Sequence, residues 1–472
     1  MEHNALNSTV DRLWAAEILT SLSELVTIPA LSPAFDPNWS ASGHLDAAVE
    51  HVSRWIASRG LPGATVETVR LEDRTPLLMV DVPATPGGAD AGTVIMYGHL
   101  DKQPPVGGWA DGLGPWTPIH RDGRLYGRGA ADDGYSGYAA TAAIEAVHAA
   151  GGEHGRCVIL LETSEESGSP DFEAYLEHLR PQLGDVTLVV CLDSGGNDYD
   201  RLWLTTSLRG LAAVDVTVKV LETAAHSGMA SGIVPSSFRI MRQLLDRLED
   251  SKTGAVLLPE MNVEIPAHRL AEAQAAVAAM PGAVGRAFKR PAGMRQASDS
   301  DLELVLNNSW RPTLSVIGAE GLPLPQEAGN VLRTHTTFTL SFRLPPTASA
   351  PAALAALQTA LTTDVPYGAS VTLSRAEYGD GWNSPELAPW LLATIEDVSK
   401  NVFNNPWATV GLGGSIPFMG LLAATYPAAQ FLVTGACGAD SNIHVPNEWL
   451  HLGQAARVTT SVAHVLHAHA TR

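Results

Sequence analysis

Cysteine is scarce in this chain, with only Cys157, Cys191 and Cys437 among 472 residues. None belongs to a Cys-x-x-Cys pair, which excludes a disulfide framework. Cys157 and Cys191 lie inside apolar runs (CVILLE and TLVVCLD) and read as buried structural thiols. Positive charge is also short: 30 Lys and Arg stand against 50 Asp and Glu, for a net charge of −20. That balance excludes a nucleic-acid surface, because phosphates require Lys and Arg. No stretch reaches the roughly 20 apolar residues that cross a bilayer. The opening residues, MEHNALNSTVDRLWAAEIL, lack the cationic start and apolar run of a secretory signal. The expectation is a soluble cytoplasmic protein without membrane or nucleic-acid partners. Gly and Pro are scattered, no internal repeat occurs, and no segment has disordered or fibrous composition.

A chain of this length exceeds the usual range of one hydrophobic core, so two domains are expected. Residues 12–27 and 43–59 carry apolar positions at three-to-four spacing and predict amphipathic helices. Short runs that are apolar throughout follow: LLMVDV (77–82), TVIMYGHLD (93–101), CVILLET (157–163) and TLVVCLD (187–193). Helical segments at 135–150 and 170–180 separate them. Strands of this kind are buried on both faces, and their alternation with helices predicts an α/β domain whose sheet is largely parallel and flanked by helices. Near residue 207 the pattern changes. LAAVDVTVKV, TLSVIGAEG, THTTFTLSFRLPP and SVTLSRAEY alternate in polarity, with helical stretches VPSSFRIMRQLLDRLED and APAALAALQTALTTD among them. These predict a smaller inserted α+β domain over 207–382, with 1–206 and 383–472 forming the two parts of the first domain. After it, a helix at 387–402, the strand AAQFLVTG and a helix at 453–469 restore the α/β pattern.

The chemistry-bearing residues sit where the predicted strands end. TVIMYG runs into His99 and Asp101, CVILLET into Glu165 and Glu166, and TLVVCL into Asp193. Open α/β sheets bind ligands beyond the carboxyl ends of their strands. Asp132 and Asp133, in LYGRGAADDGYSG, precede a predicted helix; taken alone, capping and dipole compensation explain them. His444, in the loop GADSNIHVPNEWL, is unremarkable in isolation. Together the set is two His and several carboxylates without a Cys, which suits zinc, cobalt or manganese. It exceeds one tetrahedral site, so two metals sharing a carboxylate is the natural arrangement. Paired metals of this kind support hydrolysis.

The ordered series GHLD, LYGRGAADD, ETSEESGS, CLDSGG, HSG and SNIHVPNE resembles the aminoacylase/carnosinase family of dinuclear zinc peptidases, from about residue 70 to 455. GPWTPIHRDGRLYGRGAADD, GGSIP and the long inserted domain favour its cytosolic non-specific dipeptidase, carnosinase-like branch. The resemblance implies a catalytic domain plus a lid that also dimerises, and two divalent metal ions, zinc first, with manganese or cobalt as substitutes. It implies that His99 and Asp193 hold one metal and Glu166 and His444 the other, with Asp132 bridging. Glu165 would take a proton from the water between the metals, and Asp101 would orient His99. His226, in AAHSGM, would stabilise the oxyanion, often from the partner subunit of a homodimer. Arg343, Asn330, Gly414 and Ser415 would bind substrate, Arg343 and the Gly414–Ser415 backbone at its carboxylate. The implied activity is hydrolysis of the amide bond in dipeptides or similar small amino-acid amides. An N-acyl or N-carbamoyl amino acid amidohydrolase is the alternative on the same metals.

The sequence departs from the family pattern in three places. Gly134-Tyr135 follows Asp132-Asp133 where Lys-Gly is common, and Val410-Gly411-Leu412 stands where an acidic residue usually precedes GGSIP. The Ala-rich stretch 260–310, containing FKRPAGMRQ, has no counterpart in the pattern. None of these touches a metal motif, so they bear on substrate choice. A fold that had lost catalysis would lack Glu165 or a ligand, and no Lys-Ser/Thr ending of a phosphate-binding loop follows LYGRGAADDG.

Overall fold

The structure, a computed structural model, describes residues 3–414 and 416–472. At its centre lies a six-stranded sheet in the order Thr65–Val69, Leu77–Val82, Arg156–Glu162, Thr93–His99, Val186–Cys191 and Gln430–Val433. The last four strands run parallel, while Leu77–Val82 is antiparallel to both neighbours. Val94, Met96, Ile159, Leu161 and Val190 point into one core, and Ile95, Tyr97, Val158, Leu160 and Val189 into the other. Both faces are therefore covered, which is why the inner strands are apolar without alternation.

Helices His44–Ser58, Ser136–Ala149, Pro389–Val398 and Leu452–Thr471 cover the first face, together with the N-terminal helical segment. That segment begins at His3, not at the expected residue 12, because Leu6 and Val10 are fully buried and extend the apolar stripe. Phe172–Leu183 and Pro417–Thr425 cover the other face. Among the described residues no helix is long and apolar enough to cross a membrane.

A second sheet is wholly antiparallel, in the order Thr313–Glu320, His335–Leu344, Gly210–Lys219, Ser370–Gly379. Helices Ser237–Leu245 and Ala350–Thr362 close its core around Val214, Val216, Leu340, Phe342 and Leu357. The Ala-rich stretch 260–310 forms helices Ala267–Ala279, Ala283–Arg286 and Asp301–Ser309. They do not join the second core. Glu272 accepts a hydrogen bond from Thr206 Oγ1 at 2.9 Å, and Arg269 Nε donates to Asn383 Oδ1 at 2.9 Å. Thr206 lies on Trp203–Leu208, which pairs with Ala408–Leu412 and Trp382–Asn383 in a small separate sheet.

One glycine decides how closely helix and sheet approach at the site. A Cβ at Gly98 would fall 2.6 Å from Ser136 Cβ and 2.6 Å from Asp133 Oδ2. Without it, the start of helix Ser136–Ala149 rests directly on the end of strand Thr93–His99. Gly98→Ala should therefore destabilise the fold by about 1–3 kcal/mol through overpacking. Urea unfolding measures this, and an unchanged midpoint would show that the contact relaxes freely.

Candidate metal centre

His99 closes the central strand Thr93–His99, Glu165 and Glu166 follow Arg156–Glu162, and Asp193 follows Val186–Cys191. Parallel strands thus deliver these side chains to one edge. Asp132 arrives on the loop before helix Ser136–Ala149, and His444 on the loop after Gln430–Val433. That last loop is rich in Asn and Asp because its backbone turns sharply: Asp440, Asn442, His444 and Asn447 all have φ between 55° and 67°. Asn, Asp and His tolerate this left-handed region better than other side chains.

Asp132 stands between two imidazoles. Its Oδ1 lies 3.1 Å from His99 Nε2, and its Oδ2 lies 2.9 Å from His444 Nε2. Asp193 Oδ2 is 3.9 Å from His99 Nε2, and Glu166 Oε2 is 3.2 Å from His444 Nε2. The donor atoms form two groups sharing Asp132, each within 4.8 Å: His99, Asp132 and Asp193, then Asp132, Glu166 and His444. Imidazole and carboxylate donors so spaced suit a divalent cation in each group.

The electrostatics agree with that fit. Burial raises the proton affinity of Glu165, and the neighbouring Asp193 charge raises it further. Burial pushes Asp193 up to about 7, with Asp132 and Glu166 adding to it against the pull of His99. Burial and Asp132 likewise raise Glu166. Burial opposes charge on the two imidazoles, yet hydrogen-bonded carboxylates win: His444 is pushed up to about 11 and His99 well above its usual value. Burial also works against ionised Asp132, but hydrogen bonds with His444 and His99 hold its carboxyl well below the usual range. Carboxylates crowded this closely favour a cation among them.

Asp101 does more than face His99. Its Oδ1 and Oδ2 accept the backbone N–H groups of Glu165 and Glu166 at 3.1 and 3.0 Å. His99 Nδ1 lies 3.0 Å from the Asp101 carbonyl and 3.3 Å from its Oδ1. One residue thereby orients the ring and fixes the turn that carries both glutamates.

Other supports were not singled out from sequence. Buried Glu448 pairs with Arg128 at 2.6 Å and accepts backbone N–H bonds from Gly129 at 2.9 Å and Ala131 at 3.2 Å. It therefore clamps the loop that ends in Asp132. Gln103 Nε2 donates to Glu166 Oε2 at 2.7 Å. Glu448 sits four residues beyond His444, inside SNIHVPNE, and Arg128 inside LYGRG; those motifs were the available signal. Gly134, where the family pattern has Lys, packs so that a Cβ would meet the Gly129 carbonyl at 2.4 Å.

The remaining expected site residues lie apart from this cluster. His226 is exposed on a two-stranded ribbon, Ala225–His226 with Val331–Leu332, where its Nδ1 accepts from Gly228 N at 3.1 Å. Asn330 adjoins the ribbon, its carbonyl accepting from Ser227 N at 2.8 Å. Arg343 is half-buried on the antiparallel strand His335–Leu344, opposite Leu211 and Thr313. Gly414 is exposed, and Ser415 lies outside the described residues.

The model of Peptidase family M20/M25/M40 matches residues 95–468. The chain is 26% identical over 445 residues to the cysteinylglycine-S-conjugate dipeptidase of Corynebacterium striatum, covering 91% of this chain and 90% of that protein. Its fold is similar to that of human carnosine dipeptidase 1, with a TM-score of 0.76 at 22% identity over the full length of both chains. It is similar too to an M20 family metallo-carboxypeptidase from Sulfolobus solfataricus, with a TM-score of 0.78 at 19% identity over 97% of this chain and all of that one. At these identities the structural likeness bears on the fold alone.

The clamp at Glu448 gives a test that needs no substrate. Glu448→Gln keeps the shape but removes the charge paired with Arg128, so divalent-ion affinity should fall about 10- to 100-fold, as is typical for groups that support ligands. Competition against a chromophoric chelator reads this directly. Unchanged affinity would show that the Asp132 loop holds itself.

Proposed function

The chain belongs to Peptidase family M20/M25/M40, and on that premise we propose a dinuclear metal-dependent hydrolase that cleaves the amide bond of dipeptides or similarly small amino-acid amides. The observation that carries this reading is Asp132, whose two oxygens face two separate donor groups. In the proposed assignment His99 and Asp193 would hold one ion and Glu166 and His444 the other, with Asp132 common to both donor groups. Zinc is the first choice for both ions, with manganese or cobalt as substitutes. When bound, such a pair polarises a carbonyl and makes water a better nucleophile.

The chain's own residues then have distinct tasks. Glu165 takes a proton from the attacking water and returns it to the leaving amine nitrogen. Its raised proton affinity, from burial and from Asp193, is the direction such a shuttle needs. Asp101 keeps Glu165 on its turn through the backbone bond at 3.1 Å. Arg343 grips the substrate carboxylate, with the Gly414 and Ser415 backbone beside it and Asn330 steering the rest. Residues 207–382 serve as the lid and as the dimer surface. His226 reaches the partner's site in a homodimer and donates to the developing oxyanion. Exposed Met229, at 77%, and Ile233, at 82%, lie close to His226 in sequence and supply apolar surface for that contact. We place the protein in the cytoplasm, acting on small soluble substrates.

One observation favours a second reading. A free α-amino group seeks a carboxylate, and Val410, Gly411 and Leu412 offer none just before Gly413. An N-acyl or N-carbamoyl amino acid amidohydrolase would not need one. Amino-acid release from a dipeptide panel, against acid release from N-acyl amino acids, decides between them.

Glu165→Gln should bind metal normally and lose turnover by about 100- to 10,000-fold. Normal turnover would move the base elsewhere, and metal loss would exchange the roles of Glu165 and Glu166. His226→Ala should lose turnover while keeping its metals, and mixing it with Glu165→Gln should restore part of the activity. A mixed dimer has one site with both intact residues, one from each chain. No recovery, with subunit exchange demonstrated, would confine His226 to its own subunit or to the surface.

A further inference from the structure

Beside the loop that leads to Gly414 lies a cavity of about 370 Å³. Most of its lining comes from residues 284–308, with Arg209 and Thr313 completing it. Arg209, Arg290 and Arg295 line it together with Phe288, Met294 and Asn308, and among the described residues no Asp or Glu does. In a protein with 50 acidic residues against 30 basic ones, such a lining is unusual. The sequence concentrates it further: Arg286, Lys289, Arg290 and Arg295 fall within RAFKRPAGMR, which contains no acid.

Arg209 forms the floor. It is 6% exposed, and among the described residues its hydrogen-bond acceptors are neutral. Nε donates to the Gly413 carbonyl at 3.1 Å, and Nη1 to the Asn307 carbonyl at 3.3 Å and to Thr313 Oγ1 at 3.2 Å. Nη2 has a contact to Asn308 Oδ1 at 3.5 Å, the limit of a hydrogen bond. A buried guanidinium normally faces a carboxylate, because desolvating its charge is costly. Arg209 faces the like charge of Arg343, and burial with that repulsion lowers its pKa to about 10. Arg290 and Arg295 are exposed at the rim; Arg290 spends its bonds on the Gly285 carbonyl at 2.7 Å and Gln296 Oε1 at 3.3 Å.

We propose that this cavity receives a carboxylate of the substrate remote from the bond that is cut, so that the enzyme prefers substrates with a second acidic group. The inference rests on the hydrolase reading above. Guanidinium groups bind carboxylates in fork geometry, and the Phe288 and Met294 side chains give the connecting methylenes an apolar wall. The volume has room for an Asp or Glu side chain or a short dicarboxylic acyl group. Through Gly413, Arg209 ties this pocket to the loop assigned to the substrate's other carboxylate. An anion subsite at Arg209, Arg290 and Arg295 thus joins the one proposed at Arg343.

The test compares isosteres that differ only in charge: Ala-Glu with Ala-Gln, Glu-Ala with Gln-Ala, and N-succinyl-alanine with N-succinamoyl-alanine. The zinc-loaded wild type should favour the charged member of at least one pair by about tenfold or more in kcat/KM, the scale of one charge-assisted contact. Arg290→Gln combined with Arg295→Gln should bring that ratio to within about twofold of unity. Arg209→Met should act in the same direction, and the double variant keeps the test sound if Arg209→Met misfolds. No preference in the wild type, or a preference untouched in the double variant, overturns the proposal. Calorimetry on zinc-loaded Glu165→Gln supplies a readout independent of turnover, through the affinity ratio within each pair. If no pair is hydrolysed yet the charged member binds more tightly and the double variant loses that difference, the hydrolase reading fails while the pocket stands. If inorganic phosphate binds in an arginine-dependent way and no pair shows a preference, the cavity is a site for free anions, and the substrate role is overturned.

Discussion

Asp132 turns one oxygen toward His99 and the other toward His444, so two segments far apart in the chain must be held at fixed distance across a single carboxylate. His99 is carried by the central sheet strand, which burial on both faces makes rigid. His444 is carried by a loop of left-handed turns, which is not rigid by itself. Glu448 resolves the mismatch: it belongs to the His444 segment yet bonds the backbone before Asp132 and the guanidinium of Arg128. The strand Trp449–His451 then pairs with Arg124–Tyr126 and completes the fastening. Asp101 does the same service for the glutamate turn. The centre thus relies on charged groups that hold the peptide units carrying its donors.

Tight packing below the site makes this precision possible. Gly98 lets the start of helix Ser136–Ala149 lie against the end of its strand, and a Cβ at Gly137 would meet Leu161 Cδ1 at 2.6 Å. Tyr135 fixes the same helix start to the segments that follow strands Val186–Cys191 and Gln430–Val433, its hydroxyl donating to the Leu192 carbonyl and accepting from Ala436 N at 2.9 Å. Leu192 precedes Asp193, so one tyrosine couples the Asp132 loop to the Asp193 strand end.

The mainly parallel sheet and the clustered residues were legible because one physical fact underlies both. Strands buried on two faces are written as unbroken apolar runs, and a His, Asp or Glu ending such a run stands out. His99, Glu165, Glu166 and Asp193 all do. Asp132 and His444 were ambiguous as single residues and gained meaning only as part of the set. Arg128 and Glu448 form a buried ion pair between segments far apart in sequence, and beyond their place in LYGRG and SNIHVPNE nothing local marks them as buried. The helices from Ala267 to Ser309 were hidden for a related reason: their partners, Thr206 and Asn383, lie outside the stretch that contains them.

The fastening at Glu448 also has a temporal side. During synthesis the central sheet strands up to Cys191 emerge long before the segment that carries His444 and Glu448. A nascent chain can therefore build most of the scaffold around His99 while the Asp132 loop has neither its clamp nor its second imidazole. Capture of the ion pair is then tied to the last stages of translation, when Trp449–His451 docks on Arg124–Tyr126. A chain truncated within that segment would lose, together with the Glu448 clamp, the helix Leu452–Thr471 that covers one face of the central sheet.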